Sequence, residues 1–220
     1  MARRGRPRSF DRQQALRRAM EVFWAHGYEG ASLSELTSAM GINSPSLYAA
    51  FGSKEQLFRE AVRLYDATEG AATTRAMAEE PTARAAVEAM LRDNVEAYAD
   101  PATPRGCMVV LAAATGAVAS TEVQEFLAEN RRQTLAVLGE RIERGIHDGD
   151  LPPGTDAQGV AAFYVTILQG LSIQARDGAS RARLHAVVDG AMAAWDTLTG
   201  GDRLRSGAKE VPARDPEHRG

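Results

Sequence analysis

A short stretch of the chain carries the hydroxyl groups and the cation that proteins use to contact DNA. Ser44, Ser46 and Tyr48 lie close together, and Ser53 and Lys54 follow shortly after them. Side chains of these types contact phosphate oxygens and base edges. The types and spacing of these residues therefore favour DNA binding over the simpler interpretation, which is an ordinary helical hairpin inside a protein core.

Capping residues and apolar spacing predict the elements that must hold these side chains. Ser32 and Glu35 form the capping box of a short helix. Residues 41–43, Gly-Ile-Asn, are predicted to form a tight turn, because glycine adopts positive φ without strain and asparagine favours turns. A second helix then begins, with Ser44 as its predicted N-cap and Pro45 at its first position. This arrangement is a helix-turn-helix, whose second helix can enter the major groove of DNA.

A further helix is predicted to start with the capping box of Ser53 and Gln56, and its free N–H groups can bind a phosphate. Arg12, Arg17 and Arg18 lie on the polar face of the first helix, and we expect one or two of them to reach phosphate. For the helix-turn-helix, we expect two kinds of contact. The candidates for base contacts are Ser44, Ser46 and Ala49, and those for phosphate contacts are Ser32, Tyr48, Ser53 and Lys54.

The sequence from residue 8 to 65 resembles the N-terminal domain of TetR-family transcriptional regulators. The resemblance implies an all-helical regulator, usually a repressor, that binds DNA as a two-fold dimer. It also implies that the last two helices of each subunit form a four-helix interface. The matching features are an aromatic pair followed by Gly27-Tyr28, a serine opening the next helix, the Ile42 turn, Leu47-Tyr48 with Phe51, and Ser53-Lys54-Glu55.

The N-terminus is predicted to be a disordered basic arm on an acidic protein. Seven arginines precede residue 21 and are opposed only by Asp11, whereas the whole chain has a formal charge of -3 and a pI near 5.9. The segment Arg4-Gly5-Arg6-Pro7 resembles the core of an AT-hook, whose arginines enter a narrow minor groove. We expect Arg4 and Arg6 to contact the minor groove or phosphate; a solvated tail is the alternative.

Length and hydrophobic pattern predict an all-α protein. With 220 residues and 44% hydrophobic content, two unequal domains fit best. We predict a three-helix helix-turn-helix domain and a larger helical domain for dimerisation and effector binding, about nine helices in all. The predicted divisions are a basic arm over 1–10, a DNA-binding domain over 11–66, an effector and dimerisation domain over 67–199, and a disordered tail over 200–220.

The predicted helices follow apolar stripes, caps and breaks along the chain. A domain junction or an irregularity in the helix from Ser53 is expected over residues 66–72. The apolar run at 106–114 is interpreted as a buried helix, although a strand is formally possible. The nine predicted helices cover residues 11–26, 32–40, 44–51, 53–77, 82–99, 106–114, 120–147, 155–176 and 180–198.

Cellular location is predicted from what the sequence lacks. We find no run of about 18 apolar residues for a membrane span and no apolar stretch of a signal peptide. Cys107 is the single cysteine, so an intramolecular disulfide is excluded, in agreement with a reducing compartment. We therefore expect a cytoplasmic protein without membrane partners.

Enzyme chemistry is not supported by the sequence. The histidines at 26, 147, 185 and 218 lie on separate elements, and one cysteine cannot build a thiolate zinc site. We find no phosphate-binding loop, nucleophile elbow or dinucleotide fingerprint. We therefore predict no enzymatic activity, no cofactor and no metal site. Redox sensing through Cys107 is an alternative, although a buried inert cysteine is commoner in an apolar run.

The larger domain is expected to hold a mostly apolar effector pocket and a dimer interface. Each residue assigned to them can also be interpreted as simple core. The predicted pocket residues are Met90, Tyr98, Cys107, Met108, Phe126, Phe163, Tyr164 and Gln169. The predicted interface residues are Val160, Phe163, Ile167, Leu171, Val188, Met192 and Trp195.

Together these features predict a DNA-binding transcriptional regulator. We expect a homodimeric repressor that a small-molecule effector releases from a palindromic double-stranded operator. The alternatives are a transcriptional activator, a redox sensor acting through Cys107, and a helical adaptor without DNA function.

Overall fold

The computed structural model describes residues 10–114 and 120–200, and these residues form helices joined by short turns. The predicted all-α fold is confirmed, and none of the described helices is long and apolar enough to cross a membrane. Eleven helices lie within the described ranges. They are α1 (Arg12–Gly30), α2 (Leu33–Met40), α3 (Ser44–Phe51), α4 (Lys54–Ala67), α5 (Ala72–Glu79), α6 (Ala83–Tyr98), α7 (Met108–Ala114), α8 (Thr121–His147), α9 (Ala157–Arg176), α10 (Arg181–Ala193) and α11 (Trp195–Thr199).

Two predicted helices are each divided in the structure. The helix expected over 53–77 is α4 and α5, because the chain turns at Gly70, whose N–H donates to the Tyr65 carbonyl oxygen at 2.8 Å. The last predicted helix breaks at Ala194 into α10 and α11. Residues 108–114 of the apolar run at 106–114 form α7, so the alternative of a strand there is wrong, and the helix begins two residues later than predicted.

Two predicted N-caps are wrong by one residue. Asn43, not Ser44, caps α3, and its Oδ1 accepts a hydrogen bond from the Ser46 N–H at 2.9 Å. Asp156, not Thr155, caps α9. In both cases a neighbouring Asn or Asp supplies a side-chain oxygen, and these residue types are among the strongest N-caps. The predicted caps Asp11, Ser32 and Ser53 are confirmed.

The described helices enclose two apolar cores. The N-terminal core is built on α1 to α4, with fully buried residues such as Phe23 and Phe58. It also contains Met108 of α7 and Val123 and Leu127 of α8, which are at most 2% exposed. Burying a side chain of this size contributes roughly 1.5–3 kcal/mol. The α7 helix and the start of α8 are therefore substantial parts of the N-terminal core.

The C-terminal core lies among α5, α6, α8, α9, α10 and α11. Its centre contains Met90, Leu138 and Tyr164, all fully buried, and Trp195 closes one end against the Tyr164 ring. Because α8 contributes its first turns to one core and its later turns to the other, this helix of 27 residues connects the two.

A turn at Gly106 and Cys107 joins three helices to the start of α7. The Trp24 indole Nε1 of α1 donates to the Gly106 carbonyl oxygen at 2.9 Å, and this bond is buried. The Gly106 N–H donates to the Tyr98 carbonyl oxygen at 3.1 Å, and the Cys107 N–H donates to the Ser172 hydroxyl of α9 at 2.8 Å. Gly106 has φ +80°, and a Cβ there would lie 2.6 Å from the Ser172 carbonyl oxygen, so glycine is required.

Candidate functional site

A left-handed glycine sets the angle between α2 and α3. Gly41 has φ 67° and ψ 30°, and its N–H and that of Ile42 donate to carbonyl oxygens in the last turn of α2. Leu36 of α2 and Leu47 and Phe51 of α3 face the N-terminal core and are at most 3% exposed. The predicted helix-turn-helix is therefore present, with one face of α3 held by the core and the other directed outward.

The outward face of α3 carries most of the side chains expected to contact bases. Ser44, Tyr48 and Ala49 are exposed, and Ser46 is half-buried. Tyr48 is 46% exposed, although its ring is large and apolar. The other three side chains are small, so the backbone of α3 can approach a groove closely while the Tyr48 ring and hydroxyl reach to one side.

The start of α4 presents a hydroxyl and an ammonium group beside α3. The Ser53 hydroxyl oxygen accepts the Gln56 N–H at 3.0 Å, which leaves its own proton available to a phosphate oxygen. The Lys54 ammonium lies 4.6 Å from the centre of the Tyr28 ring. Burial lowers the pKa of Lys54, and the nearby Glu29 carboxylate opposes this effect. Tyr28 therefore positions Lys54 by a cation–π contact, a role that the sequence did not reveal.

Ser32 is exposed at the start of α2, but its hydroxyl is already engaged. The oxygen accepts the Glu35 N–H at 3.2 Å, and the hydroxyl donates to Glu35 Oε2 at 2.7 Å. The hydrogen bond from the Ser32 side chain, together with that from its backbone, lowers the pKa of the Glu35 carboxyl. A phosphate contact through the Ser32 hydroxyl would have to compete with this carboxylate.

Two of the α1 arginines contact residues of α3, of α4 and of the turn that follows α4. Arg12 Nη2 lies 2.8 Å from both carboxylate oxygens of Glu60, and its guanidinium lies 4.4 Å from the centre of the Phe51 ring. Arg17 forms an ion pair of 2.8 Å with Glu69. These side chains fasten α1 to the segment that follows α3. The predicted minor-groove contacts Arg4 and Arg6 lie outside the described residues.

A cavity of about 200 Å³ lies where the two cores meet. Three of the predicted pocket residues, Tyr98, Cys107 and Gln169, line it. Arg131 of α8 also lines it, and its Nη1 is a buried atom without a hydrogen-bond partner. The complete lining consists of Tyr65, Asp66, Gly70, Thr73, Thr74, Asn94, Tyr98, Cys107, Val109, Val110, Asn130, Arg131, Gln133, Thr134, Val137, Val165, Leu168 and Gln169.

Five predicted pocket residues lie away from this cavity, because core packing takes their apolar surface. Met90 and Met108 are buried in the C-terminal and N-terminal cores, and the Phe126 ring lies under the Arg59 guanidinium at 4.7 Å. The remaining two are Phe163 and Tyr164, whose rings meet edge to face at 5.1 Å.

Cys107 lies between two tyrosine side chains at the cavity. Burial raises the pKa of its thiol, and it raises the pKa of Tyr65 and Tyr98 as well. Cys107 is half-buried by its accessible surface, and a thiol whose pKa is raised stays protonated at neutral pH and is a weak nucleophile. Among the described residues, no group of three or more histidine, cysteine, aspartate or glutamate side chains is arranged to hold a metal ion.

The residues exposed on the outward surfaces of α9 and α10 are not the ones predicted to form the dimer interface. Ile173 and Val187 are 43% and 36% exposed, respectively. Small exposed residues continue both faces: Ala162, Thr166 and Gly170 on α9, and Ala182, Ala186 and Gly190 on α10. Five predicted interface residues are instead buried in the protomer's own core, namely Val160, Leu171, Val188, Met192 and Trp195, while Phe163 and Ile167 are half-buried.

Comparisons with family sequence models divide the chain into two parts. A model of bacterial regulatory proteins of the tetR family matches residues 15–61. A model of the tetracyclin repressor-like C-terminal domain matches residues 81–191. The first match covers the helix-turn-helix, and the second covers most of the remaining described helices.

Several known proteins are similar over most of the chain. The HTH-type transcriptional repressor ComR of Escherichia coli K12 is 33% identical over 196 residues, which cover 89% of this chain and 93% of ComR. The repressor BdcR of the same strain is 30% identical over 195 residues, covering 83% of this chain and 87% of BdcR.

Solved structures of TetR-family regulators are also similar over most of the chain. A cysteine mutant of the TetR family transcriptional regulator CifR, complexed with 26-base-pair double-strand operator DNA, is 51% identical with a TM-score of 0.83. That match covers 86% of this chain and 100% of the CifR chain. SCO4454, a TetR-family regulator from Streptomyces coelicolor, shares the fold with a TM-score of 0.71 at 20% identity, over 86% of this chain and 95% of its own.

Proposed function

This chain belongs to the TetR family of bacterial regulatory proteins, and from that premise we propose that it is a transcriptional repressor that binds a palindromic operator as a homodimer. The observation that carries the proposal is the exposed face of α3, which the α2–α3 turn and the N-terminal core hold outward. The similar proteins ComR and BdcR are transcriptional repressors, and CifR was solved with operator DNA. Activation remains the alternative outcome of binding the same operator.

Within this proposal the residues of the helix-turn-helix divide their work. Ser44, Ser46 and Ala49 face base edges in the major groove, and Tyr48 reaches the backbone at its side. Ser53 and Lys54 bind a phosphate together with the free N–H groups at the start of α4. Ser32 contributes less, because its hydroxyl is held by Glu35. Arg4 and Arg6 are proposed to contact the minor groove or phosphate.

Dimerisation would place two α3 helices about 34 Å apart, in successive major grooves. The exposed faces of α9 and α10 support this arrangement, because small residues let helices approach closely and Ile173 and Val187 supply apolar surface. Four helices, two from each protomer, would then form the interface. We assign residues 11–66 to DNA binding and 67–199 to dimerisation and effector binding.

The cavity suggests how a small-molecule effector would release DNA. Tyr65 and Asp66 line it at the end of α4, and Ser53 and Lys54 lie at the other end of the same helix region. A ligand that displaces the end of α4 would therefore move the phosphate contact and change the separation of the two α3 helices. DNA release follows if the ligand favours the state with the wrong separation. This role needs no catalysis or cofactor, and we place the protein in the cytoplasm with its DNA.

The experiment that tests the proposal is selection from genomic DNA fragments, followed by anisotropy titration of the selected sequence. We expect a palindromic site bound much more tightly than a scrambled duplex, with an affinity that falls steeply as salt rises. Equal binding to selected and scrambled duplexes would contradict the proposal. A stable dimer with that result would instead support the adaptor interpretation.

A further inference from the structure

We propose that the effector is a small organic acid whose carboxylate binds Arg131 in the cavity between the two cores. This inference rests on the proposed function as a ligand-released regulator, and it adds the chemical class of the ligand. Its basis is an unpaired cationic donor beside an apolar wall in a cavity of about 200 Å³.

Arg131 is the positively charged lining residue that lacks an anionic partner. Its Nη1 is buried and donates no hydrogen bond, whereas the adjacent Arg132 pairs with Glu129 at 2.6 Å. None of the ion pairs among residues 10–114 and 120–200 includes Arg131. A buried donor without an acceptor is costly, and a hydrogen bond between a guanidinium and a carboxylate is among the strongest that proteins make.

The rest of the lining describes the body of the ligand. One wall of the cavity is aliphatic and is formed by Val109, Val110, Val137, Val165 and Leu168. These side chains come from α7, α8 and α9 and offer no hydrogen bonds. A ligand that pairs with Arg131 would therefore place an apolar group against this wall, which matches an acid with a short hydrocarbon or aromatic body.

The volume limits the size of that body. Drug-sized ligands occupy pockets of about 300–1,000 Å³, whereas a protein cavity of about 150 Å³ binds benzene. The present cavity of about 200 Å³ lies just above the second value. It therefore fits an acid of about ten non-hydrogen atoms, such as benzoate or hexanoate.

The cavity lining also includes one carboxylate, Asp66, which would attract an ammonium ion and repel an acid. Its Oδ2 already accepts a hydrogen bond from the Asn130 amide at 2.8 Å, and burial raises the pKa of its carboxyl. Because Asp66 has a partner and Arg131 Nη1 does not, the unmet demand in the cavity is for an acceptor.

The test uses the full chain and isothermal titration with matched ligands. The acids are benzoate, hexanoate and phenylacetate, each compared with its neutral amide and with benzylamine as the cation. We expect at least one acid to bind tenfold or more tightly than its amide. Arg131→Gln should remove that preference, and Arg132→Gln, on the exposed side of α8, should keep it.

The outcomes separate this inference from the proposed function. Operator affinity of the ligand-free Arg132→Gln variant should stay unchanged, because Arg132 is exposed on α8 and pairs with Glu129. Loss of specific operator binding by the unmodified chain would overturn the function. Operator binding with no acid preferred over its amide, with an acid preference that survives Arg131→Gln, or with tighter binding of benzylamine would overturn the inference alone.

A folding defect in the glutamine variant is covered by a second substitution. Arg131→Lys keeps the charge but replaces the planar guanidinium by a single ammonium group. We expect it to keep a reduced preference for the acid. A lysine variant with unchanged thermal stability and the full acid preference of the unmodified chain would also count against the assigned guanidinium contact.

Discussion

Lys54 is held at the start of α4 by the face of the Tyr28 ring, at 4.6 Å. The proposed phosphate contact predicts that Lys54→Ala weakens operator binding by roughly tenfold and lowers the salt dependence by about one counterion. The measurement is an anisotropy titration at several salt concentrations. The matched control is Arg132→Ala, which removes the same charge from the exposed surface of α8. An equal effect of both variants would mean that only net charge matters.

Tyr48 offers a test in which binding and stability separate. Because its side chain is 46% exposed, Tyr48→Ala should change the free energy of unfolding by no more than about 0.5 kcal/mol. Operator binding should weaken by about 1.5–3 kcal/mol through loss of a hydrogen bond to a charged phosphate. Thermal unfolding and DNA titration measure the two quantities. If Tyr48→Phe retains full affinity, the hydroxyl is not the contacting group.

The sequence predicted the roles of those residues whose contacts are with near neighbours in the chain. The caps at Asp11, Ser32 and Ser53 and the exposed hydroxyls of α3 follow from local spacing. The unpaired Arg131 could not be found in this way, because it is defined by residues of other helices. An arginine with an acidic neighbour two positions before it looks like an ordinary surface residue.

The α2–α3 turn depends on backbone conformation at Gly41. A Cβ at Gly41 would have no atom within 4 Å, so the cost of Gly41→Ala arises from φ +67° alone. We expect a loss of about 1–2 kcal/mol in the free energy of unfolding. The control is Gly30→Ala at the end of α1, where the nearest atom lies at 3.4 Å and φ is not positive. Urea unfolding compares the two, and equal losses would contradict this explanation.

The contact between α1 and the turn before α7 is tested by removing one donor. Trp24→Phe leaves the Gly106 carbonyl oxygen unpaired in a buried site, and we expect a loss of about 1–3 kcal/mol. Tyr164→Phe is the matched control, because it removes a buried hydroxyl that donates to the Ala191 carbonyl oxygen at 3.0 Å. Both should lower stability in thermal unfolding, whereas only Trp24→Phe should change the fraction of DNA that a bound ligand releases. Unchanged release would exclude this bond from the coupling.

Helices were predictable from the sequence where the apolar periodicity agrees with the capping residues and with the Gly and Pro residues that end helices. The Gly-Pro segment at 149–154 and the caps located α6, α8 and α9 within a few residues. The division between α4 and α5 was expected only as an irregularity, because its cause is the contact of Gly70 with the Tyr65 carbonyl oxygen. The position of α7 in the N-terminal core depends on contacts across more than 80 residues, and no local pattern encodes that.

The proposed dimer is tested at the scale of the whole molecule by charging the exposed face of α10. Val187→Glu places carboxylates from both protomers close together at the two-fold axis region. We expect a monomer with normal helicity and an operator affinity reduced at least 100-fold, because one half-site remains. Light scattering after gel filtration measures the mass. Ala136→Glu, on an exposed position of α8, is the control and should stay dimeric.

The sequence could not show which apolar residues of α9 and α10 belong to the protomer's core and which to the dimer interface. Both α9 and α10 are apolar on more than one face, so spacing gives two candidate stripes and no reason to prefer one for the protomer's own core. Packing against α6 and α8 decides the matter by burying Val160, Leu171 and Val188. The residues left outside, such as Ile173 and Val187, are the candidates that follow.

The N-terminal core has a consequence for how this protein can be recombined with others. Met108, Val109 and Ala112 of α7 and Val123 and Leu127 of α8 belong to the same core as α1 to α4. In a hybrid regulator joined at residue 66, α1 to α4 would pack against side chains of another protein in place of these residues. Domains that are separate along the chain are thus not independently exchangeable. A working hybrid should include α7 and the first turns of α8 together with α1 to α4.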